Sequence, residues 1–258
     1  MKICRVSVEG SVSYGLVEGD SVYLIDGNVY GDYVVTNTSY DLGEVKLLVP
    51  CEPRSFWAVG LNYAAHIAHQ EQALDADRIQ RDAQEFRPWQ KGTSCIISTG
   101  SKIELPSDAD YVHYEGELAV VIGKRAKHVD ALNAPDYIFG YTCANDVSGE
   151  GEWSKDLSNW RRKCTDTFGP VGPWIETDLD PHKTQITTIL NESVHDTGET
   201  SGMIYNCYET VSRISEFVTL YPGDLILTGA PGAVEQLNPG DTVEVEIAGI
   251  GRLSNPVV

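Results

Sequence analysis

Tyr114-Glu115-Gly116-Glu117-Leu118-Ala119-Val120-Val121-Ile122-Gly123 is the stretch that decides the fold of this 258-residue chain. Its apolar half, Leu118 to Ile122, predicts a buried β-strand that ends at Gly123. Because alternate residues of a strand face the same side, Glu115 and Glu117 are expected to point in one direction. Two neighbouring carboxylates repel each other unless a cation or a proton lies between them. The stretch therefore predicts a buried strand that presents a pair of acidic groups.

A third carboxylate, that of Asp146 in Asn145-Asp146-Val147, would complete a set of oxygen ligands. Three hard oxygen donors are typical of Mg²⁺ or Mn²⁺ rather than zinc. A Glu-x-Glu pair taken alone is more often two solvated side chains on an exposed strand face. The apolar run after the pair favours burial, and an unpaired buried carboxylate is costly. We therefore predict a metal site at Glu115, Glu117 and Asp146.

Composition limits the classes of partner. The chain is 41% hydrophobic and 22% charged, as expected for a globular protein, and its net charge of −19 argues against nucleic acid and anionic membranes as partners. A bound cation and local basic residues would have to reverse this field for an anionic substrate. No apolar run approaches the length of about 20 residues that a membrane helix needs. Six cysteines without a C-x-x-C pair predict free, mostly buried thiols and a cytoplasmic protein.

The order of the elements predicts a β-rich α+β protein without regular βαβ alternation. Residues 1–50 read as short strands separated by Gly-containing turns, and hence as a small β-rich N-terminal unit that ends near Pro50 and Pro53. Residues 51–258 are predicted to form the main, catalytic domain. In it we predict strands at 56–60, 94–106, 111–122 and 137–143 and within the last forty residues, a surface helix or lid over 64–85, and a second helix over 208–218.

Several segments follow one another in a specific order and spacing along almost the whole chain. They are Gly60-Leu61-Asn62-Tyr63 with His66, the stretch 114–124, Gly140-Tyr141-Thr142 with Asn145-Asp146-Val147, Lys163 with the run 166–174, Thr200-Ser201 with Met203-Ile204, the run 220–226, Thr228-Gly229-Ala230-Pro231, and the run 249–255. Together they resemble the fumarylacetoacetate hydrolase family. The resemblance implies a mixed β-sheet rolled into a barrel-like shape, usually in a homodimer. It also implies Mg²⁺ or Mn²⁺ held by Glu115, Glu117 and Asp146.

Members of that family act on small 2-oxo or 1,3-dioxo acids through a metal-bound enolate. The resemblance implies a hydrolase that cleaves a C–C bond of an acylpyruvate-like or fumarylacetoacetate-like acid. A decarboxylase, a 2-hydroxy-2,4-dienoate hydratase or a keto–enol isomerase remains open, because the same enolate serves all of them. A binding or scaffold protein that retained the fold is a third possibility.

The resemblance also implies roles for individual residues. Lys163 corresponds to the family lysine that reaches the metal-bound substrate oxygen, and His66 to a lid histidine that activates water. Asn62, Tyr63 and Thr228 lie in matching segments and are expected to contact substrate.

Four departures from the family pattern point to an atypical substrate. His69 stands where a Glu usually forms a dyad with the lid histidine, and a neutral imidazole cannot replace a carboxylate there. Glu150 and Trp153 stand where an Arg and a Gln usually contact substrate, so we expect Glu150 to repel a distal carboxylate. Trp153 either stacks on the substrate or simply packs in its loop. Ala230 replaces a Thr, and the segment between residues 66 and 91 lacks the usual prolines and is longer.

Overall fold

The computed structural model of the protein describes residues 1–73, 85–155, 158–232 and 234–258. Its strands are β1 (Lys2–Val8), β2 (Ser11–Glu18), β3 (Ser21–Gly27), β4 (Tyr33–Asp41), β5 (Lys46–Leu47), β6 (Phe56–Val59), β7 (Pro88–Lys91), β8 (Ile96–Ile97), β9 (Tyr111–His113), β10 (Gly116–Ile122), β11 (Ile138–Asn145), β12 (Ser148–Glu150), β13 (Gly169–Glu176), β14 (Gln185–Leu190), β15 (Ser193–Glu199), β16 (Leu225–Leu227), β17 (Thr242–Ile247) and β18 (Gly251–Pro256). The α-helices are α1 (Ala64–Ala73), α2 (Trp160–Cys164) and α3 (Cys207–Phe217). The predicted β-rich α+β class is confirmed.

A large mixed sheet organises the molecule. Its strand order is β4-β3-β2-β1-β13-β11-β10-β16-β6-β7, with β5 paired to β1 and β8 to β13. The pairs β16–β6 and β13–β8 are parallel and the other pairs antiparallel. A four-stranded antiparallel sheet, β15-β14-β17-β18, and a ribbon of β9 and β12 complete the β-structure. No pairing joins β4 to β7 in the part of the chain that the structure describes, so closure into a barrel-like shape stays a prediction.

Strand β10 lies at the centre of this sheet, between β11 and β16, and every one of its residues is buried. Leu118 and Val120 belong to one hydrophobic core, whereas Ala119 and Val121 belong to another. Burial on both faces explains why this strand is a continuous apolar run rather than an alternating one. A methyl group added to Gly116 would lie 2.5 Å from the Thr188 hydroxyl oxygen, so the close packing of the four-stranded sheet requires glycine at the start of β10.

The strands of the N-terminal region extend the large sheet. β1 pairs with β13 through Lys2↔Glu176 and Ile3↔Ile175, and β2, β3 and β4 follow outward from it. A small core of their own contains Cys4, Val6, Val17 and Val22. The backbone ladder is therefore continuous from the N-terminal strands to the centre of the molecule.

The second predicted helix is confirmed as α3, which begins after Asn206. The Asn206 side chain accepts hydrogen bonds from the backbone N–H groups of Tyr208 and Glu209, and the Glu209 carboxylate accepts from the Asn206 N–H in return. Such a capping box satisfies donors that the first turn leaves unpaired. The other predicted helix begins at Ala64 as α1, and its continuation over residues 74–84 lies outside the described residues.

The predicted strand over residues 94–106 is wrong. Thr93–Cys95 form a 3₁₀ turn, and Ile96–Ile97 alone pair with a neighbouring strand. Gly100 then takes a φ of +77°, which ends the extended backbone. Ile103 is nevertheless buried in a hydrophobic core, and its backbone makes an isolated bridge with Val257.

Two expectations about environment can be compared with the structure. The six cysteines are free, and Cys164 is the one among them that is not buried, which confirms the prediction of free, mostly buried thiols. Among the described residues, no helix has both the length and the apolar character needed to span a bilayer.

Candidate active site

Three buried carboxylates meet where β10 begins and β11 ends. Gly116 pairs with Asn145, so Glu115 and Glu117 on one strand lie beside Asp146 on the next. The Asn145 side chain accepts the Glu115 backbone N–H at 3.0 Å, and the Asp146 N–H donates to the Glu115 carbonyl at 2.8 Å. One carboxylate oxygen from each of the three residues lies within 4.8 Å of the others. Strand pairing therefore converts a separation of about thirty residues into one acidic cluster.

Two buried lysines contact this acidic cluster. The Lys163 ammonium donates to Glu115 Oε2 at 2.9 Å and to Asp146 Oδ2 at 2.6 Å. The Lys91 ammonium donates to Asp146 Oδ1 at 2.6 Å and to the backbone carbonyl of Lys163. The family resemblance predicts Lys163, whereas no sequence pattern points to Lys91, which is far from the cluster along the chain. Lys91 connects β7 to the cluster and fixes Asp146 from the side opposite Lys163.

Glu117 is held by the segment that follows β16. Its Oε2 accepts the backbone N–H of Gly229 at 2.6 Å. Gly229 has a φ of +94°, and a Cβ atom there would lie 2.8 Å from the Cβ of Asn62. Glycine is therefore required for this N–H to reach the carboxylate.

The pKa values differ across the cluster for identifiable reasons. Burial alone would raise the pKa of Glu115, but the Lys163 ammonium, with smaller contributions from His113 and His66, holds it below its usual range. Burial, together with the negative charges of Asp146 and Glu115, raises the pKa of Glu117 well above its ordinary value. Burial would lower the pKa of Lys163, but the two carboxylates it contacts raise it. Lys163 is therefore charged at neutral pH.

The donor set fits a hard divalent cation. Three carboxylates face two ammonium groups, so the fully ionised cluster carries one excess negative charge in a buried environment. The pKa of Glu117 is raised because a proton on this carboxylate removes the excess negative charge of the cluster. Oxygen donors without sulfur or a contributing imidazole are the ligands that Mg²⁺ and Mn²⁺ prefer. Glu115, Glu117 and Asp146 would hold the ion.

Two histidines accompany the cluster. His66, on α1, is buried, and its Nδ1 lies 2.7 Å from the carbonyl oxygen of Gly232. A carbonyl oxygen only accepts, so in the neutral ring Nδ1 carries the hydrogen and Nε2 has the free electron pair. His113, two residues before Glu115, has Nδ1 at 3.7 Å from Glu115 Oε1. Burial lowers the pKa of His113 to about 4, so its imidazole is neutral at pH 7. The alternation His113, Glu115, Glu117 was the sequence signal that could have identified it.

Most of this chain matches a known protein family. The sequence model described as "Fumarylacetoacetate (FAA) hydrolase C-terminal" matches residues 55–258, and one described as "Rv2993c-like, N-terminal" matches residues 1–50. The chain belongs to the fumarylacetoacetate hydrolase family. The family suggested by the sequence segments is thereby confirmed.

Relatives within the fumarylacetoacetate hydrolase family include enzymes of several kinds. The chain is 40% identical to Protein Rv2993c of Mycobacterium tuberculosis, over 100% of this chain and 98% of that protein. It is 36% identical to the 4-hydroxyphenylacetate degradation bifunctional isomerase/decarboxylase of Salmonella dublin, over 79% of this chain and 47% of that protein. The solved structure of 2-hydroxyhepta-2,4-diene-1,7-dioate isomerase from Mycobacterium marinum matches with a TM-score of 0.90 at 37% identity, covering 100% of this chain and 98% of that chain. Membership of this family supports an enzyme.

Two of the three residues expected to contact substrate, Asn62 and Thr228, are engaged with the protein itself. The Asn62 amide donates to the carbonyls of Tyr205 and Thr228 at 2.9 and 2.7 Å, and its oxygen accepts the Tyr205 N–H. Asn62 therefore joins two segments. The Thr228 hydroxyl donates to the Leu118 carbonyl at 2.8 Å. Tyr63 is buried, and its hydroxyl has no hydrogen-bond partner among the described residues, so it keeps a donor for a ligand.

The two family departures after Asp146 take different positions. Glu150 Oε1 accepts Nε of Arg162 at 2.5 Å, so its charge is compensated within the protein. This pair removes the physical basis for the expected repulsion of a substrate carboxylate. Trp153 packs against Gly149 and Gly151, and its indole N–H donates to the Asp108 carbonyl at 3.2 Å. A different tryptophan, Trp89, lies near the cluster, with its ring centroid 5.5 Å from the Lys163 ammonium.

Proposed function

We propose that this protein is a divalent-metal-dependent enzyme that interconverts the keto and enol forms, or double-bond isomers, of a 2-oxo acid through an enolate. The observation that carries the proposal is the buried Lys163 ammonium, which contacts Glu115 and Asp146 within the acidic cluster. An ammonium fixed beside carboxylates that could hold a metal is suited to stabilise a negative charge developing on a substrate oxygen.

The residues divide the work. A divalent ion bound by the three carboxylates would supply Lewis acidity toward the oxygens of the oxo acid. The Lys163 ammonium stabilises the same oxygens, and its raised pKa keeps it charged over the physiological range. Lys91 holds Asp146 and the backbone of Lys163 in place, so that both point toward the cluster. Burial excludes water, which strengthens each of these electrostatic interactions.

Residue 69 argues against hydrolysis, and relatives named as isomerases support the proposed isomerisation. The Mycobacterium marinum relative is named as an isomerase of a 1,7-dioate, and the Salmonella dublin relative as an isomerase and decarboxylase. The chain has His69 where the hydrolytic dyad of the resemblance has a carboxylate. Keto–enol isomerisation needs no activated water, whereas hydrolysis does.

A C–C bond hydrolase is the second candidate, and His66 is the observation that favours it. With Nδ1 donating to Gly232, the neutral ring has a basic Nε2. A positive charge on His66 would lower the pKa of Glu115, so the imidazole lies within electrostatic reach of the cluster. A base near the acidic cluster is suited to remove a proton from water during acylpyruvate cleavage.

Product analysis separates these reactions. The protein is incubated with oxaloacetate and with acetylpyruvate, in Mg²⁺ and in EDTA, and the mixtures are followed by proton NMR. Metal-dependent acceleration of keto–enol exchange with an intact carbon skeleton is the expected result. Metal-dependent formation of acetate and pyruvate from acetylpyruvate would establish hydrolysis instead, and pyruvate with CO₂ from oxaloacetate would establish decarboxylation. No metal-dependent change in either compound would refute the proposed function.

A further inference from the structure

A two-stranded ribbon leads outward from the acidic cluster. In this ribbon of β9 and β12, Ser148 lies opposite His113 and Glu150 lies opposite Tyr111. The Ser148 hydroxyl contacts Glu115 Oε1 at 3.3 Å, so the inner rung of the ribbon contacts the cluster. Alternate residues of a strand share a face, and two residues span about 7 Å. Glu150 and Tyr111 therefore occupy the same face one rung farther out.

The outer rung carries a guanidinium group. Arg162 donates from Nε to Glu150 Oε1 at 2.5 Å, and Glu150 is its one ion-pair and hydrogen-bond partner among the described residues. The side chains are 19% and 23% exposed, so the pair lies at the border between the buried site and solvent. A guanidinium has a second edge, formed by its two Nη groups. Among the described residues no acceptor contacts this second edge, whereas Nε on the first edge is held by Glu150.

Arg162 also acts on the cluster electrostatically. It follows the larger contributions that lower the pKa of Glu115, and it is among the charges that lower the pKa of His113. Arg162 immediately precedes Lys163 in α2, the helix that supplies the cluster with its ammonium. Arg162, paired with Glu150, thus places a positive charge near the acidic cluster of a chain whose net charge is −19.

The neighbouring Arg161 shows the contrast. Its guanidinium stacks over the ring of Trp153 at 4.5 Å and pairs with Asp108. Its described side-chain contacts are with Trp153 and the exposed Asp108 and do not include Glu150. Two adjacent arginines thus have different surroundings, which makes one the matched control for the other.

We propose that Arg162 binds the distal carboxylate of a dicarboxylic 2-oxo acid, with Glu150 as the positioning residue that orients its guanidinium. The inference rests on the proposed function, because it assumes that the 2-oxo end of the substrate lies at the acidic cluster. Glu150 occupies the place where the family resemblance has an arginine, and the structure brings another arginine to that place. Planar two-point contact with a carboxylate is the interaction for which a guanidinium is suited and an ammonium is not.

Calorimetry with a pair of isosteric 2-oxo acids tests the inference without turnover. 2-Oxoadipate and 2-oxohexanoate have the same chain length and differ by a distal carboxylate in place of a methyl group. Both lack the second oxo group of an acylpyruvate, so no C–C cleavage of that kind occurs. In the presence of Mg²⁺, we expect the wild-type protein to bind 2-oxoadipate about 10- to 100-fold more tightly, as a charge-assisted hydrogen-bonded pair provides.

Four variants decide the origin of that preference. Arg162→Ala should bind the two acids with about equal affinity, so that the wild-type ratio is lost. Arg162→Lys should keep a small part of the preference, because one ammonium cannot reproduce a two-point contact. Arg161→Ala should retain the wild-type ratio. Glu150→Gln, which keeps an acceptor for Nε, should retain the preference as well.

The outcomes that overturn the inference are distinct from failure of the proposed function. An unchanged affinity ratio in folded Arg162→Ala, an equal loss in Arg161→Ala, or no binding of 2-oxoadipate by the Mg²⁺-loaded wild type would each overturn it. If oxaloacetate and acetylpyruvate are not converted but the Arg162-dependent preference is found, the proposed reaction is wrong and the carboxylate site stands.

Discussion

Replacing Lys91 with methionine tests how the acidic cluster is held together. The side chains of Lys91 and Asp146 are both 0% exposed, and their charged atoms lie 2.6 Å apart. Methionine has a similar length and no charge, so Lys91→Met removes the ammonium and leaves little empty space. Asp146 Oδ1 and the Lys163 carbonyl then lose a buried donor.

The expected loss in the free energy of unfolding depends on the contacts that Asp146 keeps in Lys91→Met. Removing one partner of an isolated buried ion pair costs about 3–5 kcal/mol, because the other charge is left uncompensated. Asp146 is not left isolated, since Lys163 still donates to its Oδ2. The loss is therefore closer to that of a charge-assisted hydrogen bond plus one unsatisfied carbonyl, about 2–4 kcal/mol in the free energy of unfolding.

Urea unfolding in EDTA measures this loss, and a double-mutant cycle with Asp146→Asn isolates the pair. Residues in direct contact give coupling energies of about 0.5–3 kcal/mol, and we expect a value in the upper half of that range. Lys183→Met is the control, because Lys183 and Asp180 are 81% and 50% exposed and the free energy of unfolding should not change measurably. Strict additivity of the Lys91 and Asp146 substitutions would refute the reasoning.

Three further predictions concern other parts of the molecule. His66→Ala should lower any acetylpyruvate hydrolysis about 10²- to 10⁴-fold and leave keto–enol exchange partly intact, as measured by acetate and enol signals in NMR; unchanged acetate release would exclude His66 as the base. Asp224→Asn should lower the free energy of urea unfolding by about 2–3 kcal/mol, because this buried carboxylate accepts three backbone N–H groups; Asp241→Asn, in the similar but more exposed turn, should lower it less. Burial raises the pKa of the Cys207 thiol from 9.0 to about 12, so unfolding releases its proton and stability falls as pH rises from 9 to 12. Cys207→Ala should reduce that slope by about 1.4 kcal/mol per pH unit, and an identical slope in both proteins would contradict the assignment.

Local patterns predicted the elements whose causes are local. The apolar run after Glu117 predicted the central strand, because burial on both faces demands it. The helix that became α3 was visible in its apolar spacing, and the structure adds the Asn206–Glu209 capping box. The strand expected over residues 94–106 failed for the opposite reason. Its apolar residues are buried singly by distant segments, as the bridge from Ile103 to Val257 shows.

The acidic cluster could be predicted in part. Glu115 and Glu117 follow from strand alternation. Ligand chemistry and the family resemblance both indicated Asp146, and the resemblance alone indicated Lys163. Lys91 had no comparable signal, because its contact with Asp146 depends on how an edge strand meets α2.

The surroundings of Glu150 could not be predicted from the local sequence either. Glu150 was interpreted as an uncompensated charge because its partner Arg162 is identified only by the docking of α2 against β12. A tertiary contact of this kind compensates a charge, and the local sequence pattern gives no sign of it.

The alternation of faces along β10 has a consequence for how this protein tolerates change. Ala119 and Val121 face one core and Leu118 and Val120 the other, and Glu117 shares the alternation of the former pair. Inserting one residue after Glu117 would exchange the two sets of side chains and move the carboxylates relative to Asp146 at the same time. The same insertion in the tight turn at Asn191 would disturb neither. Insertions in the centre of the large sheet should therefore lower activity and stability together, whereas insertions at surface turns should not. The turns are the places where residues can be added.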